Sequence, residues 1–241
     1  MSRTSVLLVI IILGCIFSGS KCVYAMDSSG FVTEELSEDE RGLFLNNVNI
    51  SMLNTEPRKA PIVCFDVNQN GMIAIGTENG SNKIICVYSE NGIFQYGYRY
   101  ETYGSFRIEW DNEIVNIYDV RSDVSISINP AGEIENILKI CNTSENNSYW
   151  NQLDKATSRK VGDYQYVLKN NIGFMGIFAS TYSQLYKVDN HGNKLLIYDV
   201  NSFQFFRILI YFVGIAVFAS IVIIGVIKEF KKAQRENVNG L

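Results

Sequence analysis

"CFDVNQNGMIAIGT", residues 64–77, poses the question on which the fold turns. Asp66, Asn68, Asn70 and Gly71 alternate as the first half of a calcium loop does, yet the same residues suit a tight turn between two strands. An EF-type loop also needs a bidentate Glu at its twelfth position, and here that position is Thr77, with Glu78 one residue late. Asn, Asp and Gly supply the positive φ that hairpin turns demand. The stretch therefore reads as strand, turn, strand.

The same texture recurs along the chain. Turns close on glycine in "YSENG" (Gly92), "INPAG" (Gly132) and "DNHG" (Gly192), at spacings of 40 and then 60 residues. The polar stretch "NTSENNSYWNQLDKATSRKV" at 142–161 accounts for the additional 20, and removing it restores the period. "PIVCFDV", "SFRIEW" and "YQYVLK" each precede a turn containing Asn, and "MIAIGT", "EIVNIYDV" and "GFMGIFAS" each follow one. "IICVYS", "VSISIN" and "LYKVDN" come next, then "IFQYGY", "EIENILKI" and "KLLIYDV". Four strands in about 40 residues is the arithmetic of a propeller blade.

The expected fold is mainly β: a propeller-like array of about three four-stranded units, 60–103, 104–141 and 162–200, with an insert at 142–161. Propellers usually have four to eight blades. Either "VNISML" at 48–53 and the acidic leader supply part of a fourth, or the sheets form an open stack, or self-association closes it. Within the leader, 26–59, "SEDE" at 37–40 has the spacing of a capping box and predicts a short helix from Glu38. In "FQYGYRYETY" at 94–103, Phe94, Tyr96, Tyr98 and Tyr100 share one face, suited to packing between sheets or to stacking on a sugar or peptide.

Two apolar runs flank this region. Residues 6–17, "VLLVIIILGCIF", would cover about 18 Å of a hydrocarbon core about 30 Å thick, the size of an export-signal core rather than a span. Residues 1–25 thus read as a signal peptide cut after Ala25, with the lipobox-like "ILGC" at 12–15 and an uncleaved anchor as alternatives. Residues 208–227, "ILIYFVGIAVFASIVIIGVI", carry no charge over a bilayer's length. Lys228, Lys231, Lys232 and Arg235 make 228–241 a basic tail and orient that end to the cytoplasm. The expectation is a single-pass cell-membrane protein with its N-terminal domain outside.

The outer segment, 26–206, holds 23 acidic and 14 basic residues, 14 − 23 = −9, which repels phosphate backbones and excludes nucleic acid as a partner class. Cys64, Cys86 and Cys141 are too few for a disulfide framework. Cys64 and Cys86 either pair or act as small apolar strand residues. The single histidine, His191, lies in a turn and supports neither a multi-His metal centre nor a catalytic base. No nucleophile elbow, Walker or dinucleotide glycine pattern is present, so no cofactor, metal or catalytic residue is assigned. Glu109, Asp111 and Glu113 alternate around a turn and are the carboxylates from which a glycosidase mechanism would start. Recognition is expected in the insert, at Asn146, Asn147, Tyr149 and Trp150, because long insertions on a repeat fold are where binding concentrates.

"FDVNQNGMIAIG", "FQYGY", "NTSENNSYW" and "ASTYSQLYKVDNHGNKLLIYDVNS", followed by an apolar helix, resemble a group of uncharacterised single-pass membrane proteins of Gram-positive, clostridial-type bacteria. The similarity covers about 60–227 and implies a bacterial cell-surface setting, with no activity to carry over. The expected function is a membrane-anchored binding or scaffolding module, a subunit of a surface assembly with a protein or cell-wall partner. A cell-wall-directed hydrolase and a sensor signalling through a partner are the alternatives.

Overall fold

The computed structural model describes residues 30–173, 176 and 179–239; the signal segment expected at 1–25 and its expected cleavage site lie outside them. Among the described residues, fourteen strands and three helices are formed. Every ladder is antiparallel, and the strands make three sheets.

Sheet 1 is built from β3 (Ile62–Val67), β4 (Ile73–Asn79), β5 (Asn82–Tyr88) and β6 (Phe94–Glu101). Sheet 2 is built from β7 (Phe106–Asp111), β8 (Ile114–Asp119), β9 (Val124–Ile128) and β10 (Ile134–Ile140). Sheet 3 is built from β11 (Ser158–Val161), β12 (Tyr164–Lys169), β13 (Gln184–Val188) and β14 (Lys194–Asp199). Each is a four-strand meander, as the period predicts.

The leader does not build a fourth unit. Its strands β1 (Thr33–Glu35) and β2 (Ser51–Leu53) add as fifth strands to β10 and β6. A free sheet edge exposes unpaired backbone groups, and a short covering strand satisfies them. Between the two runs α1 (Glu38–Asn47), capped by Ser37 and Glu40 in the expected capping box.

The "NQNG" turn is a hairpin. Asn68 Oδ1 accepts from the backbone N–H groups of Asn70 (3.0 Å) and Met72 (2.9 Å), and Gly71 sits at φ +78°. Asn129 does the same for Ala131 and Glu133, and Asp189 for His191 and Asn193. The Asp66 carboxylate meanwhile points away toward the other sheets, so the alternating oxygens do not converge on one point.

Sheet 1 is the middle layer. One face, with Ala74, Val87, Tyr98 and Tyr100, packs on Phe106, Ile117 and Ile126 of sheet 2. The other, with Phe65, Ile75 and Tyr88, packs on Tyr166, Leu185 and Tyr198 of sheet 3. Each fully buried aliphatic or aromatic side chain contributes roughly 1.5–3 kcal/mol. Cys64 lies in the first of these cores and Cys86 in the second, so they occupy opposite faces and do not pair. Phe94 also departs from its expected row. A β-bulge shifts the β5–β6 register between Val87 and Tyr88 and turns Phe94 onto Tyr88, in the sheet 3 core.

The third unit is out of phase with the sequence reading. "SRKV" at 158–161, assigned to the insert, is the first strand of sheet 3, and "YQYVLK" is the second. The two-residue Gly162-Asp163 turn makes that hairpin, pairing Val161 with Tyr164. β12 then pairs directly with β13, and the described residues of "GFMGIFAS" form no strand. The additional residues are split between the insert and this long connection. Asn170 holds the connection's ends, accepting from Ser183 N–H (2.8 Å) and donating to Thr181 C=O (3.0 Å).

The first strands gather together, β3 lying beside both β7 and β11, and the sheets fan outward from them. Among the described residues no closed propeller forms. The far face of sheet 2 is covered by α2 (Ser144–Lys155), through Tyr149 and Leu153 on Tyr118. Sheet 3 passes through Val200 into α3 (Asn201–Asn239), which begins seven residues before the expected 208. Its first 25 residues, Asn201–Gly225, contain an 18-residue window with a mean hydropathy of 2.8 and are long and apolar enough to cross a membrane.

Candidate functional site

The insert residues serve the fold unequally. Asn146 is buried at the N-terminus of α2, whose cap is Thr143. Its Oδ1 accepts from Val32 N–H (2.8 Å), and its Nδ2 donates to Val32 C=O (2.7 Å) and Cys141 C=O (2.6 Å). It ties the approach of β1 to the end of β10. Tyr149 is buried too, edge-on to Phe31 at 4.7 Å, with its hydroxyl donating to Glu109 at 2.5 Å. Trp150 is half-buried, with the Arg107 guanidinium 5.7 Å from its ring, and Asn147 is exposed. These last two line a recess of about 180 Å³ with Phe31, Val120 and Asn142. An i, i+3 spacing joins Asn146 to Tyr149 on the inner face of the helix and leaves Asn147 and Trp150 beside it.

A buried polar junction lies where the first strands meet. Asp66 of sheet 1 accepts from the Trp110 backbone N–H of sheet 2 (2.7 Å) and from Arg159 Nε of sheet 3 (2.7 Å). One carboxylate thus touches all three sheets. Burial pushes its carboxyl above the ordinary range, against the opposing pull of Arg159. Glu109, one residue before Trp110, is pushed up by burial as well; the Tyr149 hydroxyl opposes this, and the nearby charge of Asp66 adds to it. Tyr118 also hydrogen-bonds to Glu109. These groups are occupied with one another.

A larger opening lies at the turn ends of sheets 1 and 2. This cleft of about 800 Å³ is lined by the 67–70 and 110–114 turns, with Asn129, Pro130 and Glu135 along one side. Asn68 Nδ2 donates across it to Asn112 C=O (3.2 Å) and sets the distance between the two turns. Asn112 sits at φ +55°, a conformation that Asn tolerates better than most residues. Gln69, Glu113 and Glu135 have side chains with no hydrogen bond or ion pair among the described residues. Asp111 takes one bond, from Asn112 Nδ2 at 3.0 Å. The Trp110 indole N–H, buried at the wall, has no partner among the described residues. The lining is rich in acceptors and acidic, so it suits a ligand that presents hydroxyls or amines.

The sequence reading and the geometry overlap only partly. Glu109, Asp111 and Glu113 are divided, the first enclosed behind α2 and the other two in the cleft. Gln69 and Glu135 carried no signal, because nothing in a single strand tells which turn of another sheet will face it. Asp66 stood in the opening motif, but Arg159 lay in what read as an insert. The sequence matches no protein-family model and no curated protein.

Proposed function

We propose that the chain is a membrane-anchored binding or scaffolding module of a bacterial cell surface. Its sheets lie outside, α3 crosses the lipid, and the basic residues after 227 face the cytoplasm. The observation that carries this is the open cleft: its acceptors are left over by the fold, and it sits on sheets joined to an apolar helix without a flexible linker. The resemblance to single-pass clostridial-type proteins and the charge bias around 208–227 support the setting.

The ligand is a cell-wall partner that displays hydroxyls and amines to Asp111, Glu113 and Glu135. Full-length protein in nanodiscs should retain solubilised cell-wall fragments, and a Glu113→Gln, Glu135→Gln pair should weaken that retention about tenfold, the worth of one or two hydrogen bonds to charged groups. Asn147→Ala with Trp150→Ala should leave it unchanged. The reverse pattern moves the site to the insert, and no retention by either form removes this function. Protease added to intact protoplasts should cut within 60–200; protection there would put the sheets on the other side.

The sensor reading gains one specific support, the passage of β14 into α3 across the single residue Val200. A flexible Gly-Ser insertion after Val200 should then spare ligand retention and abolish any response in a cytoplasmic partner.

A further inference from the structure

A second cavity, of about 250 Å³, lies where α3 leaves the domain. Its walls include Ser180, Thr181, Gln204, Arg207, Ile208 and Tyr211. The four helix residues are spaced i, i+3, i+4, i+7, which places them on one face, turned toward the 179–181 connection. Gln204 is 2% exposed. Its Nε2 donates to Thr181 C=O at 2.9 Å, which aims the amide, while its Oε1 is buried with no partner among the described residues. An orphaned buried acceptor is destabilising unless a donor reaches it. The Arg207 guanidinium has no ion pair or hydrogen bond among the described residues. Glu78, also on the wall, is answered by Lys83 at 2.6 Å, so it does not neutralise Arg207.

The geometry points to a binding site for the headgroup of a glycerophospholipid. The phosphate meets Arg207, a headgroup hydroxyl or ammonium donates to Gln204 Oε1, and the acyl chains run along Ile208 and the apolar helix beyond it. Tyr211 belongs at this depth, since an amphipathic ring is favoured at the lipid–water boundary. A soluble phosphate with a hydroxyl would satisfy the same two groups but not the apolar end. This site rests on α3 crossing a membrane.

Full-length protein in mild detergent, examined by native mass spectrometry, tests it. The wild type should keep one phosphatidylglycerol, and about tenfold less phosphatidylcholine, whose headgroup has no donor. Arg207→Gln, an exposed change, should weaken phosphatidylglycerol about tenfold, with Arg207→Lys restoring much of it. Gln204→Leu should erase the preference between the two lipids. Equal retention by all forms overturns the site, because the lipid is then held by the helix surface alone. Displacement by millimolar inorganic phosphate overturns the lipid assignment in favour of a soluble phosphate. Release of the chain from membranes by alkaline carbonate would overturn the membrane span itself, whereas firm integration with variant-insensitive lipid retention overturns only the headgroup site.

Discussion

Sheets 1 and 2 end on a fifth strand lent by the leader, whereas sheet 3 ends on β14, with no strand beyond it among the described residues. The three meanders share their turn chemistry and differ in how the outer edge is finished. Two edges are covered by chain that comes before the repeat. The third bears a bulge at Ile197, where its register with β13 shifts between Leu185 and Tyr186, has charged residues at its ends, and leads into α3. The 89–93 turn of sheet 1 also presses on it, Gly92 lying against the Ile197 carbonyl. A repeat therefore specifies the meander, while its place along the chain decides what its edge meets.

The largest expected effect comes from the junction that unites the three sheets. Asp66→Ala leaves Arg159 as an uncompensated buried charge and should cost about 3–5 kcal/mol in chemical unfolding of the full chain. A loss under about 1 kcal/mol would mean the sheets hold together through their apolar faces alone, as ordinary surface changes leave stability nearly untouched.

Gly92 and Gly192 share a turn type and a φ near +80°, but only Gly92 abuts a neighbour. A Cβ there would lie 2.9 Å from Ile197 C=O, against open space at Gly192. Gly192→Ala should cost about 1–2 kcal/mol of backbone strain, and Gly92→Ala about 1–3 kcal/mol more. Equal losses would remove the close contact between sheets 1 and 3.

Asn146→Ala leaves the Val32 N–H without its partner, while Val32 C=O keeps the Cys141 N–H and Cys141 C=O keeps the Thr143 N–H, and should cost about 1–3 kcal/mol. Hydrogen exchange should rise at 31–35 and 134–141 and stay unchanged in sheet 3. A rise in all three sheets would show that the leader supports the whole stack rather than its own edge.

The smallest effect concerns Glu109. Burial raises its carboxyl above the ordinary 4.5. A raised acid supports the fold fully below its ordinary value and loses that support as pH climbs through the raised one. Acidification from neutrality toward 4.5 should therefore tighten α2 on sheet 2, and Asp66 adds with the same sign. Glu109→Gln keeps an acceptor for Tyr149 and should flatten this slope while preserving stability at neutral pH. An unchanged slope would put the titration elsewhere.

Local chemistry was the legible part. Asn68, Asn129 and Asp189 reveal their turns because a short side chain caps backbone only a few residues away. The capping box at Ser37 and Glu40 and the uncharged run at 208–227 are likewise complete within their own segments. Legibility failed where two segments had to be compared. The strand Ser158–Val161 closes a polar stretch that reads as an insert, so the Gly162-Asp163 turn passes for the start of the third unit and the unit reads one strand late. The bulge that flips Phe94 depends on how β5 meets β6, which neither strand displays. Asn146 and Tyr149 looked like recognition residues because a polar, aromatic insert looks the same whether it faces a ligand or its own domain.

By itself the sequence determined the period, the turns, the capped helix and the long apolar helix, since each depends on contacts within a few residues of chain. Only the tertiary structure decided that the leader would cover edges, that Asp66 would meet Trp110 and Arg159, and that Gln69, Glu113 and Glu135 would face one cleft. The two Asp66 contacts alone join residues 44 and 93 positions apart. Their energy comes from burial between sheets, which no single stretch can express until the sheets are packed together.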